Sequence, residues 1–127
     1  MRLLADSSVW IDHFRRADEA LAAALRNRAV LTHPLVIGEI AMGSIADRSA
    51  VLESLLTLRQ ARRADDAEVL GLIERHRLWG TGIGYTDAHL LASALLGPDT
   101  KLWTRDKRLG EAAEALGVAG EGVVPAP

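Results

Sequence analysis

A chain of 127 residues, 49% hydrophobic and 25% charged, is long enough to bury one core and is expected to form a single domain over residues 1–127. A formal charge of −2 excludes a globally basic polymer-binding protein, though not a local basic patch, and 4% aromatics argue against base stacking on an aromatic platform. The absence of cysteine removes disulfides and thiolate metal sites and fits a reducing compartment.

Arg2-Leu3-Leu4-Ala5 is a short apolar run ended by Asp6-Ser7-Ser8, a helix-capping cluster. It predicts a strand followed by a helix from about Ser8 to Arg15. Asp6 also interrupts the run before a secretory signal can form, and the longest stretch free of Asp, Glu, Lys and Arg, Ala88 to Pro98, is too short to span a bilayer. A cytoplasmic protein with no membrane contact is expected. Asp18 to Arg28 reads as a second helix, with Leu21, Ala22 and Leu25 on one side, and Ala29-Val30-Leu31-Thr32 as a buried strand.

His33-Pro34 starts a helix through about Ser44, with Pro where its missing N–H costs nothing. Two amphipathic stretches follow, Asp47 to Arg59 and Asp66 to Leu78, read as a helical hairpin at about 47–78 beside the sheet. Trp79 to Gly84 breaks the pattern; its glycines lack the Gly-Lys-Ser/Thr ending of a P-loop and read as a turn. The next helix starts around Thr86 and Asp87, repeats Ala88, Leu91, Ala92 and Leu95 along one face, and stops at Gly97-Pro98-Asp99. Lys101-Leu102-Trp103-Thr104 is a strand, Lys107 to Leu116 a helix after Asp106, and Val123-Val124 a weak last strand. Short apolar strands alternating with helices predict an α/β fold with a central parallel sheet covered on both faces.

Four acids stand out. Asp6 and Asp106 each follow a strand and precede a helix, and Asp87 lies in a first helical turn. Helix capping or the helix dipole explains each of these alone. Glu39 is the only ionisable residue from Pro34 to Ala46, on a helix apolar nearly all round, and is therefore expected to be buried. An Arg partner is the structural alternative. If the four converge, each pair about 4 Å apart repels by roughly 4 kcal/mol at an effective dielectric near 20, which calls for protonation or a cation. An all-oxygen donor set suits a hard divalent ion such as Mg²⁺ or Mn²⁺. The acids thus point to metal-dependent phosphoryl transfer or hydrolysis.

The motifs Leu4-Ala5-Asp6-Ser7-Ser8-Val9, Ile37-Gly38-Glu39-Ile40, Thr86-Asp87-Ala88-His89-Leu90-Leu91-Ala92 and Leu102-Trp103-Thr104-Arg105-Asp106, in this order, resemble the PIN-domain ribonucleases. The likeness is in particular to the toxins of VapBC-type toxin–antitoxin pairs. It implies a three-layer α/β/α sandwich with the acids at one edge of the sheet and Mg²⁺- or Mn²⁺-dependent endoribonuclease activity. It also implies an RNA substrate, a cognate VapB-type antitoxin and a homodimer. By position, Asp6, Glu39, Asp87 and Asp106 match the family's acidic, metal-binding quartet, with Glu39 acting directly or through water. Ser8 and Thr104 match hydroxyl positions that hydrogen-bond within such sites.

Arg105, Lys107 and Arg108 bracket Asp106 and are candidates for contacting phosphates beside a cut; a solvated helix start is the alternative. His13, His33, His76 and His89 match no zinc spacing, and Trp10, Phe14 and Trp79 are expected as core or interface anchors. A haloacid-dehalogenase-type phosphatase needs a second Asp two residues after the first, where this chain has Ser8. A DNA-directed nuclease using the same acids, and a non-catalytic partner-binding module whose acids are only caps, remain as rivals.

Overall fold

The computed structural model describes residues 1–125. Strands β1 (Arg2–Ala5), β2 (Val30–Leu31) and β3 (Thr100–Trp103) form a parallel sheet in the order β2–β1–β3. Leu3 pairs with Val30 and Leu4 with Leu31 on one side of β1; on the other, Arg2 to Ala5 run in register with Thr100 to Trp103. Seven helices accompany the sheet among the described residues: α1 (Ser7–Arg15), α2 (Glu19–Arg26), α3 (Pro34–Met42), α4 (Arg48–Thr57), α5 (Asp66–His76), α6 (Tyr85–Leu96) and α7 (Lys107–Ala115). The result is a three-layer α/β/α sandwich.

β1 is the central strand, paired on both sides at Leu3 and Leu4, and a strand covered on both faces is apolar where it is buried. Leu3, Leu4 and Ala5 are all buried. The longest continuous buried stretch is in α6, where every residue from Ala88 to Ala94 is inside. This helix packs against β3 and α5, while α1 packs on α3 and α3 on α4. Leu4, Leu21, Ile40, Leu90, Leu91, Leu102 and Leu109 are fully enclosed, each contributing about 1.5–3 kcal/mol through its burial.

Each strand of the sheet ends in the cap of a helix. Asp6 after β1 accepts from Ser8 N–H at 2.9 Å, and Asp106, after β3 and two loop residues, accepts from Leu109 N–H at 3.0 Å. After β2 and Thr32, the imidazole Nδ1 of His33 accepts from Leu35 N–H at 3.0 Å, with Pro34 opening the helix as expected. Parallel strands put these three caps, and hence the N-termini of α1, α3 and α7, at one edge of the sheet. That edge is where an open α/β sheet receives ligands.

Three details differ from the sequence reading. Val123 and Val124 form no strand and are exposed; Ala119 instead bridges Leu102 in parallel. Between the two helices of 47–78, Gln60 bridges Thr32, so the connection crosses the outer edge of the sheet. Accordingly α4 leans on α3 and α5 on α6, each covering a different neighbour. Trp10 is a core residue and Phe14 packs against the core, whereas the exposed Trp79 is no core residue, which leaves the interface role of its two expected ones. No helix among the described residues is long and apolar enough to cross a membrane.

His33 couples the fold to pH. Burial, then the positive charge of Arg63 and the proximity of His89, push its pKa down to about 4. A histidine with a folded pKa below its unfolded value of roughly 6.5 stabilises the native state above that value and loses its contribution as pH falls toward 4. Urea unfolding between pH 7 and pH 4 is expected to show this loss, at up to about 1.4 kcal/mol per pH unit from this one group. His33→Asn, which keeps a good N-cap, should remove that part of the slope.

Candidate active site

The β1–β3 register sets the centre of the site. Ala5 pairs with Trp103, so the chain leaves the sheet at Asp6 and Thr104 side by side, with Asp6 N–H bonded to Trp103 C=O at 2.9 Å. Asp6 is buried, and both carboxylate oxygens are occupied. Oδ1 accepts from Ser8 N–H and from the Ser8 hydroxyl, and Oδ2 accepts from Thr104 Oγ1 at 2.5 Å. The two hydroxyls are themselves oriented by the β3–α7 loop. Ser8 Oγ accepts from Arg105 N–H at 2.9 Å and Thr104 Oγ1 from Asp106 N–H at 3.0 Å. Each hydroxyl has a single proton, and the backbone donors supplied to the oxygens leave that proton for Asp6.

The other acids gather around this centre. Glu39 lies in the second turn of α3 and Asp87 in the first turn of α6. Partial burial raises the pKa of Glu39, and the negative charges of Asp87 and Asp6 raise it further, against a hydrogen bond from Ser7. Asp87 is also raised, first by partial burial; a bond from Gly84 N–H opposes this, and Asp106 and Asp6 add to it. Beyond burial, Glu39 is thus perturbed by Asp87 and Asp6, and Asp87 by Asp106 and Asp6. Among the described residues none of the four is in an ion pair. Glu39 itself departs from the reading. It is exposed beside Gly38, because α3 buries Val36, Ile37 and Ile40 and turns the Gly38–Glu39 side outward. A groove of about 550 Å³ opens there, with Ile11, Phe14, Ile40 and Val51 in its walls.

The donor set fits a hard divalent cation: only carboxylate oxygens, mutually repelling, with no cationic partner. Among the described residues no three His, Asp or Glu side chains stand close enough together to hold a metal ion between them. An ion that takes one or two carboxylates and keeps several waters needs no such cluster.

The three cations around Asp106 separate into two kinds. Arg105 is committed: its guanidinium pairs with Asp12 at 2.8 Å and with Asp18 at 2.5 Å, tying the β3–α7 loop to α1 and to the cap of α2. These bonds hold its pKa up, and the Leu21 N–H bond followed by Arg105 holds that of Asp18 down. Arg105 is thus occupied by protein carboxylates, contrary to its reading as a phosphate contact. Lys107 and Arg108 are exposed in the first turn of α7. Sequence reasoning missed Asp12 and Asp18 as partners of Arg105, and Ser7 as a partner of Glu39. No spacing rule connects residues that meet only through the tertiary fold.

A site of this construction defines a class. The PIN domain family model matches residues 3–115, and the chain belongs to the PIN-domain family. It is also similar to Ribonuclease VapC32 from two strains of Mycobacterium tuberculosis, CDC 1551 / Oshkosh and H37Rv. Each is 49% identical over 117 residues, covering 92% of this chain and 94% of the relative. At that likeness it sits within the VapC-type branch of the family.

If the acids repel one another in the metal-free protein, removing one charge should stabilise it. Asp87→Asn, measured by thermal unfolding in chelator, is expected to gain about 0.5 kcal/mol once solvent screening is allowed for, or about 2 °C in Tm. A drop in Tm would mean that Asp87 contributes to folding more than it repels.

Proposed function

We propose that this chain is a metal-dependent endoribonuclease, the toxin of a type II toxin–antitoxin pair, hydrolysing RNA phosphodiesters at the site formed by Asp6, Glu39, Asp87 and Asp106. The observation that supports the reading is a VapC-type PIN domain in which three donors fix Asp6 and the charges of Asp6, Asp87 and Asp106 act on Glu39 or Asp87. Single-domain organisation over 1–127 and a cytoplasmic location, where RNA and a cognate antitoxin are present, belong to the same reading.

Asp6, Asp87 and Asp106 would hold Mg²⁺ or Mn²⁺, with Glu39 taking part directly or through water. Such an ion supplies neutralisation of the scissile phosphate and acidification of a water molecule. Asp6 stays in one orientation because three donors fix its two oxygens. Ser8 and Thr104 do this without adding positive charge. Glu39, exposed at the mouth and raised by its acidic neighbours, is suited to accept the proton of the attacking water. Asp106 serves twice, since only Oδ1 is engaged in capping α7. Lys107 and Arg108 are the cations available to the phosphates beside the cut.

A VapB-type antitoxin and a second copy of the chain are the proposed protein partners. The support is exposed apolar surface on the two middle helices, Leu56 on α4 and Leu70 on α5, at 63% and 56% exposure.

Asp6→Asn and Asp87→Asn are expected to lower RNA cleavage at least about a hundredfold while leaving the folded circular-dichroism spectrum intact. Cleavage by the unmodified chain should require Mg²⁺ or Mn²⁺ and stop with chelator. Equal turnover of a DNA oligonucleotide would reassign the substrate. Metal-independent turnover, or none at all, would remove the catalytic reading.

A further inference from the structure

In the first turn of α7 the helix carries no acid, only Lys107 and Arg108. Positive side chains at a helix N-terminus oppose its dipole, a placement that does not help the fold. Arg108 takes part in none of the ion pairs among the described residues. Although exposed, its side chain lies against Gly82 in the α5–α6 loop. A Cβ added at Gly82 would overlap Arg108 Nη1, with Cδ at 2.7 Å and Cζ at 2.8 Å.

The two contacting segments are those that bring Asp87 and Asp106 to the site. Gly82 precedes Gly84, whose N–H bonds Asp87 Oδ2 at 3.4 Å, and Arg108 follows Asp106, whose charge acts on Asp87. Arg108 therefore spans the rim between the start of α6 and the start of α7. The glycine that admits it has φ +91°, and the nearby Gly80, at φ +71°, has open space where a Cβ would go.

We infer that Arg108, seated on Gly82, is a binding residue for an RNA backbone phosphate next to the scissile one, and that Gly82 is the positioning residue that keeps its guanidinium at the rim. The inference rests on the ribonuclease reading, which already makes Arg108 available to phosphates, and adds to it the glycine seat and the loop that place its guanidinium. The side chain of alanine at position 82 would occupy the seat, and the flexible arginine, not the fold, would yield. An arginine freed to solvent pays more entropy to meet a phosphate and meets it in the wrong place.

The test uses the full chain, Mg²⁺ and a quenched-fluorescent single-stranded RNA of mixed sequence. KM, kcat, Tm and the salt dependence of kcat/KM are compared for the wild type, Arg108→Gln, Gly82→Ala, Gly80→Ala and the Gly82→Ala/Arg108→Gln double variant. Arg108→Gln should raise KM on the order of tenfold, hold kcat within about twofold, and flatten the slope of log(kcat/KM) against log salt by about 0.7, the loss of one phosphate contact. Gly82→Ala should reproduce most of the KM rise. Gly80→Ala, which carries comparable left-handed strain with no overlap, should lower Tm and leave KM unchanged. In the Arg108→Gln background, Gly82→Ala should add nothing to KM. Equal KM for the two alanine variants, or an Arg108→Gln enzyme with unaltered KM and salt slope, overturns the inference while leaving the ribonuclease reading in place. A wild-type chain that neither binds nor cleaves RNA in the presence of metal overturns both.

Discussion

The site depends on the pairing of β1 with β3. A parallel register that sets Ala5 opposite Trp103 obliges Asp6 and Thr104 to leave the sheet as neighbours. The loop that follows β3 then lies within reach of the first turn of α1. From this come the two hydroxyl bonds to Asp6 and the two backbone donors that orient those hydroxyls. A slip of one residue would carry Thr104 to the other face of the sheet and undo all four bonds. The buried faces of Leu102 and Leu4, both enclosed, hold the register in place. Core packing and active-site geometry are, at this point, one constraint.

Arginine does two different jobs within four residues of chain. Arg105 and its two carboxylate partners join three segments, the β3–α7 loop, α1 and the start of α2. Arg108 lies against Gly82 and takes part in no ion pair among the described residues. The difference follows from direction. Arg105 precedes the cap and points back toward α1, whereas Arg108 has entered the helix and meets the α5–α6 loop on the far side of Asp106. Adjacent basic residues in a motif are thus not interchangeable, and their chemistry is set by what the fold places opposite each.

Much of this was legible in the residues. The strand–cap–helix succession at Asp6 and Asp106 shows as an apolar run followed by a capping residue, and all seven helices have a periodic or capped signature. What escaped was of two kinds. The bridges at Gln60 and Ala119 are single residue pairs, too short to carry any periodicity, and they exist because a neighbouring strand offers unpaired backbone groups. Glu39 misled in a more instructive way. A helix apolar on most sides implied burial, but Gly38 and Glu39 fall on a strip of α3 left uncovered at the groove, where a carboxylate is hydrated enough to stay and near enough to Asp87 and Asp6 to be perturbed. The hydrophobic pattern identifies which residues seek the core; which strip remains open depends on the neighbours.

The bonding of Asp6 has a consequence for its charge. A buried carboxylate needs compensation, and an arginine would provide both hydrogen bonds and neutralisation. Here the compensation comes from one amide and two hydroxyls, dipoles that satisfy the oxygens without cancelling the charge. The guanidinium of Arg105, which precedes Asp106, is drawn off by Asp12 and Asp18, leaving its backbone N–H to support Ser8. Under the proposed reading, that uncancelled charge is the electrostatic demand a divalent cation would meet.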